Sequence, residues 1–183
     1  MKIIKITLLL IVFSSTSVYA KNASETAKDY FNRLKKKDYN GAASYFDPNA
    51  LNEFRQMLSF INEIPAEGQK GFLEAFFGAG ATKESVSKLS NSDFFSSFLK
   101  AVMSQAEAAG GINFDGMEVL GEVLEGSNIS HVVTRNRVSM GEIEMEAMEV
   151  VSFKKNGKEW KALLSGKMKG MARQLRAVIK QQQ

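Results

Sequence analysis

The chain has 183 residues with two prolines, one histidine and no cysteine, and a formal net charge of +4. With 44% hydrophobic and 24% charged residues it has a globular composition. The lack of cysteine excludes a disulfide framework, a thiolate metal site, a cysteine nucleophile and a lipid-modified cysteine anchor.

Residues 1–20 follow the three-part pattern of a secretory leader. Lys2 and Lys5 supply the positive start, Ile6 to Phe13 the apolar run, and Val18-Tyr19-Ala20 the small-residue cleavage site. The run falls short of the roughly 20 apolar residues that a spanning helix needs. Cleavage after Ala20 is expected, giving a periplasmic or secreted protein that begins at Lys21. The remaining 163 residues, 21–183, make one domain and carry a net charge of +2. That charge, on an exported protein, gives no reason to expect a nucleic-acid partner.

Ala27, Tyr30, Phe31 and Leu34 are spaced i, i+3, i+4 and i+7, which predicts a helix over about 24–37 with Lys28, Arg33, Lys35 and Lys36 facing water. Asp38 reads as an N-cap, and Tyr39, Ala42, Ala43 and Phe46 repeat the spacing in a second, short helix. Asp47-Pro48 starts a third, because aspartate caps free amides and proline loses nothing at the first helical position. Its stripe is Leu51, Phe54, Leu58 and Ile61. Residues 63–110 read as a helical insertion broken at Pro65, Gly78, Gly80 and Gly110-Gly111, and they hold six of the thirteen phenylalanines. So much aromatic area must be buried.

From Met117 the period becomes two. Asn156-Gly157 is a preferred two-residue hairpin turn, and Met140-Gly141 serves for the hairpin before it. These turns set Phe153 opposite Trp160, Val151 opposite Ala162 and Glu149 opposite Leu164. They also set Val138 opposite Ile143, Asn136 opposite Met145, Thr134 opposite Ala147 and Val132 opposite Glu149. On the other face Arg137 meets Glu144 and Arg135 meets Glu146, so opposite charges face each other. A turn at Glu125–Asn128 adds a strand over 117–124, with Glu118 near Arg135 and Glu122 near His131. Met117, Val119 and Val123 then join the apolar face. A last helix over about 167–181 completes an α+β chain of N-terminal helices on a curved four-stranded antiparallel meander.

The order of elements resembles the nuclear transport factor 2-like, or cystatin-like, superfamily. So does the run Tyr30-Phe31-Asn32-Arg33-Leu34-Lys35-Lys36-Lys37-Asp38-Tyr39 leading to Tyr45-Phe46-Asp47-Pro48. The resemblance covers about 24–62 and 117–166. It implies a curved sheet wrapped over helices into a cone with an apolar pocket, with dimers often formed through the outer sheet face. The superfamily hosts isomerases, dehydratases, hydrolases and non-catalytic binding modules, so fold alone does not choose among them. The aspartate base with tyrosine and acid donors of its steroid-isomerase branch has no match here.

On this reading Thr134, Asn136 and Glu149 orient a small hydrophobic ligand or partner segment while Met145, Phe153 and Trp160 supply area. No cofactor or metal is expected. Glu149 is the candidate for acid-base work, since a carboxylate on the apolar face has its charged form disfavoured, and Tyr30, Tyr39 or Tyr45 could donate a proton. The alternatives are a bulge near Met148 that turns Glu149 outward, or a basic partner from the helices. Without a nucleophile beside it, His131 reads as a satisfied surface histidine. On the outer face Leu120, Val133, Met148, Val150 and Leu163 collect into a patch, covered by the terminal helix or the insertion, or else forming a homodimer interface. The terminal helix pairs a Met168, Met171, Ala172, Leu175, Val178 and Ile179 stripe with a basic face. It either packs on its own domain or lies on an anionic membrane surface or an acidic partner. A protein-interaction domain with a filled interior is the third reading.

Overall fold

The computed structural model describes residues 21–108 and 111–181, so the leader lies outside the described residues. Among the described residues seven helices and a 3₁₀ turn accompany one four-stranded antiparallel sheet, and the fold class is α+β. Helix α1 spans Ala23–Lys35, α2 Tyr39–Ala43 and α3 Pro48–Met57, followed by the 3₁₀ turn Ser59–Glu63. Then come α4 (Ala66–Phe77), α5 (Lys83–Ser87) and α6 (Asn91–Ala108). The strands are β1 (Ile112–Glu125), β2 (Ile129–Met140), β3 (Ile143–Asn156) and β4 (Glu159–Ala162), in sheet order β1-β2-β3-β4, and α7 (Gly166–Gln181) ends the chain. No helix among the described residues is long and apolar enough to cross a membrane.

Local chemistry sets the helix starts. The Asn22 side chain accepts from the Glu25 amide at 2.8 Å while the Glu25 carboxylate accepts from the Asn22 amide at 3.1 Å, a reciprocal cap. Asp38 caps α2 through the Gly41 amide at 2.9 Å, and Asp47 caps α3 through the Asn49 amide at 2.8 Å, with Pro48 at the first helical position. The predicted stripe of the third helix divides: Leu51 and Phe54 lie on α3, and Leu58 and Ile61 are carried into the core around the 3₁₀ turn.

The phenylalanine-rich segment is core and not an appendage. The Phe54 ring meets Phe95 at 5.0 Å, Phe98 at 5.2 Å and Phe94 at 6.4 Å, each edge-on. Phe46 joins this cluster at 4.6 Å from Phe95 and carries it to the sheet. There the Ala162 amide donates to the Tyr45 carbonyl at 2.7 Å, and the Asp47 amide to the Ala162 carbonyl at 2.9 Å. The α2–α3 link thus covers the free edge of β4, which would otherwise leave unpaired backbone groups.

The sheet corrects the predicted register. Met140 faces Ile143 and Asn156 faces Glu159, so both hairpins turn one residue later than predicted, at Gly141-Glu142 and Gly157-Lys158. In each the glycine is the first loop residue, with φ +61°, and the second residue is not left-handed. That is the II′ pattern, whereas Asn156-Gly157 as the loop would need asparagine left-handed as well. Every facing pair therefore slides by two. Phe153 faces Ala162 and Trp160 faces Lys155; Thr134 faces Glu149, Asn136 faces Ala147 and Val138 faces Met145. Because side chains alternate with period two, the slide leaves each residue on its predicted face. Arg137 pairs with Glu146, at 2.9 Å, instead of Glu144. Arg135 now faces Met148, though its guanidinium still reaches Glu146 at 3.8 Å and Glu118 at 3.3 Å.

Irregularities in β1, between Phe114 and Gly116 and between Val119 and Gly121, overturn two further expectations. Past the second one the faces exchange. Val123, expected inside, is 61% exposed, and Glu122 faces Val132 on the inner side instead of His131. Glu122 there accepts from the Ser24 amide at 3.1 Å and the Ser130 hydroxyl at 2.8 Å, tying α1 to the sheet. Burial alone would raise its pKa, but these hydrogen bonds outweigh it and hold the carboxyl below its ordinary 4.5. Its stabilisation is complete above that ordinary value and is lost as pH falls through the lowered one. Glu122→Gln is expected to lower the urea midpoint at neutral pH, with the gap to wild type closing as pH falls through that lowered value and the native carboxyl takes up its proton.

Candidate functional site

The six residues expected to share a pocket share a face but not a volume. Thr134 and Phe153 are fully buried in the packed interior, and the Thr134 hydroxyl donates to the Glu149 carbonyl at 3.4 Å. Met145 lies near the turn end of the β2–β3 hairpin, 42% exposed. Trp160 is half-buried at the other end of β3, with the Lys155 ammonium 5.9 Å from its ring centre. At about 3.3 Å per residue, Met145 and the Lys155 position that faces Trp160 are roughly 33 Å apart along the strand. A small ligand does not touch both.

Glu149 stays on the inner face, since the β2–β3 register runs without interruption and the alternative of a bulge near Met148 does not occur. It is half-buried and ion-paired with Lys167 at the start of α7, so the basic partner from the helices is what the structure shows. Tyr30 lies close enough to sense it: burial first, and the Glu149 charge second, push the phenol well above its usual value and keep it protonated. Next along the sheet, Asn136 has its Oδ1 buried without a hydrogen-bond partner.

A different concavity lies in the helical half. Leu58, Ile61, Leu73, Val86 and Phe94 form the buried floor of a cleft of about 460 Å³, rimmed by Gln56, Ser59, Asn62 and Lys83. Arg55 builds its wall. The guanidinium donates to the carbonyls of Leu89 at 2.6 Å, Ser87 at 2.9 Å and Val86 at 3.0 Å and to Asn91 Oδ1 at 3.2 Å, and lies 5.0 Å from the Phe94 ring centre. It pins α5 and the α5–α6 link against α3. Sequence reasoning passed over this site because it treated 63–110 as an insertion. A usable signal was Thr82-Glu84-Ser85, whose Thr82 and Ser85 side chains and amides form a reciprocal cap that starts α5 beneath Arg55. Among the described residues no group of His, Asp and Glu is arranged to hold a metal.

Helix α7 packs on its own domain. Ala172 is buried, Met168, Met171 and Leu175 pack on the core, and Lys169 and Arg176 pair with Glu53 at 2.8 Å and Glu63 at 3.6 Å. It lies on the α3 side, leaving the outer sheet patch open: Met148 is 70% and Val150 55% exposed, with Leu120 and Val123 beside them. His131 is satisfied, by Glu125 at 2.8 Å and Ser152 at 2.9 Å.

No protein-family model matches the chain, and no curated protein matches it. Among solved structures it is similar to a Campylobacter jejuni protein whose name describes it as an NTF2-like transpeptidase. Identity is 16% and the TM-score 0.40, over 79% of this chain and 100% of the other. Nothing about this chain's chemistry follows from that likeness.

The unpartnered Asn136 Oδ1 generates a test of the inner face. Replacing a buried, unsatisfied amide by an apolar side chain of similar volume removes its desolvation cost. Asn136→Leu is expected to stabilise the protein by about 1 kcal/mol in urea unfolding.

Proposed function

We propose that the protein is an exported, non-catalytic binding module whose helical-half cleft takes a small hydrophobic ligand or an apolar segment of a partner. The observation that carries this reading is the cleft's composition: five buried apolar side chains beneath a rim of neutral hydrogen-bonding groups and one lysine. Such a floor supplies area, and such a rim supplies orientation. The volume, about 460 Å³, lies within the range of roughly 300–1,000 Å³ usual for small-molecule sites. Arg55 is engaged by backbone carbonyls, so its role is to hold the walls in place before a ligand arrives, which reduces the ordering cost of binding. Export rests on the leader pattern alone.

Native mass spectrometry of the mature protein from an exporting host, with collision energy raised stepwise, is expected to release a bound apolar mass. A lipid and sterol panel is expected to raise the melting temperature. Ser59→Trp, at the exposed rim, should block entry and abolish both signals with the fold intact. Absence of any adduct or shift across the panel, or a panel response unchanged in Ser59→Trp, would overturn the reading.

The open outer sheet patch favours a second reading, a homodimer. Strand residues of the same face pass from an apolar end, with Val133, Met148 and Val150, to a charged end with Arg135, Arg137, Glu144 and Glu146. A face that carries both charge signs beside an apolar area is able to complement a twofold copy of itself. Sedimentation velocity is expected to give a dimer for wild type and a monomer for Met148→Glu/Val150→Glu. A monomeric wild type would remove this reading.

A further inference from the structure

Another cleft, of about 510 Å³, lies between the α1–α2 turn and α6, away from the apolar one. Its α6 wall is Ser96 and a stripe in which Ser97, Lys100, Ser104 and Glu107 succeed one another by three, four and three residues. Lys37, Asp38, Tyr39 and Asn40 face them from the turn and α2, and the Asp38 carboxylate is already engaged by the Gly41 amide and Arg33.

Three features make this a built cleft. Tyr39 is only 8% exposed as a residue, and its hydroxyl, which makes no hydrogen bond among the described residues, opens onto the cleft and not into the core. Burial first, and then the charge of Glu107, raise the Tyr39 phenol above its usual value, so it remains a donor. Lys100 carries no ion pair or hydrogen bond among the described residues, whereas the other lysine of the cleft, Lys37, is paired with Glu107 at 2.9 Å.

Lys37 itself is unusual. The Lys37 amide donates to the Leu34 carbonyl and the Asp38 amide to the Arg33 carbonyl, both at 2.9 Å, which is the closure that ends α1 with a left-handed residue. That residue is normally glycine. Here it is lysine at φ +57°, the one left-handed residue among the described residues that is not glycine. The strained position places an ammonium on Glu107 at the cleft's end.

The groups with free hydrogen-bonding capacity are therefore a phenol, an ammonium and two serine hydroxyls, and with them the Glu107 carboxylate, which has acceptor capacity beyond its pair with Lys37. The first set suits an anion and the second a donor. We infer that this cleft binds a small carboxylate bearing an amino or hydroxyl group, an α-amino or α-hydroxy acid. Its carboxylate lies on Lys100 and Tyr39, and its amino or hydroxyl group on Glu107.

The test is isothermal titration calorimetry of the mature protein against alanine, glutamate, lactate and acetate. At least one of the first three is expected to bind, with acetate about tenfold weaker or worse for lack of a group to reach Glu107. Tyr39→Phe and Lys100→Gln are each expected to weaken binding about tenfold. Lys100 is exposed, so its variant reads the site even where Tyr39→Phe lowers stability. Ser59→Trp, which closes the apolar cleft, should leave this binding unchanged, so failure of one site does not imply failure of the other. No heat from any of the four compounds, acetate binding equal to the others, or unchanged binding in Lys100→Gln would overturn the inference.

Discussion

Everything in this structure leans on the ring of Phe54. It projects from α3 into three phenylalanines of α6, and through Phe46 and Phe95 the same aromatic chain reaches the edge of the sheet. With no cysteine in the chain, no cross-link can hold helices and sheet together, and apolar burial has to do so. Each edge-on ring pair adds about 0.5–1.5 kcal/mol to what its buried area contributes. Residues 66–108 are therefore part of the core, and without α6 the Phe54 ring would lose the three rings it packs against.

Placing α6 in that role decides where clefts arise. A long helix packed between α2, α3 and α4 leaves a groove on each side of itself. On one side α5 is held to α3 by Arg55, and the groove floor is apolar. On the other, α2 is too short to cover the stripe from Ser97 to Glu107, and the groove is polar. The inner sheet face is filled around Thr134 and Phe153 and crossed at its margin by the Lys167–Glu149 pair, so the functional weight shifts from the sheet to the helices.

The polar groups follow one rule. Buried Asp47 caps α3, Glu122 gathers hydroxyl and amide donors, and Arg55 satisfies carbonyls at the end of α5. Such groups contribute stability because their partners are complete. Among the described residues the exception is Asn136 Oδ1, buried without a partner, where it only costs; the Tyr39 hydroxyl is open to a cleft, where solvent or a ligand completes it.

What the sequence determined by itself was local. Caps at Asp38 and Asp47, the stripe of α1, the Leu51 and Phe54 half of the α3 stripe, and the alternation of β2 and β3 depend on neighbours within a turn or two, and all are found where periodicity and capping chemistry put them. The face of each β2 and β3 residue was legible for the same reason, and it survived a register error because a slide of two residues returns every side chain to its own side. The slide itself, the irregularities that turn Val123 out and Glu122 in, and the burial of Phe94, Phe95 and Phe98 against Phe54 were decided only in three dimensions. The handedness of a glycine turn, the twist a strand must absorb and the partner of a distant ring are set by contacts tens of residues apart, and no local period records them. Both clefts belong with these, since each is the space between helices whose separation is fixed by packing elsewhere.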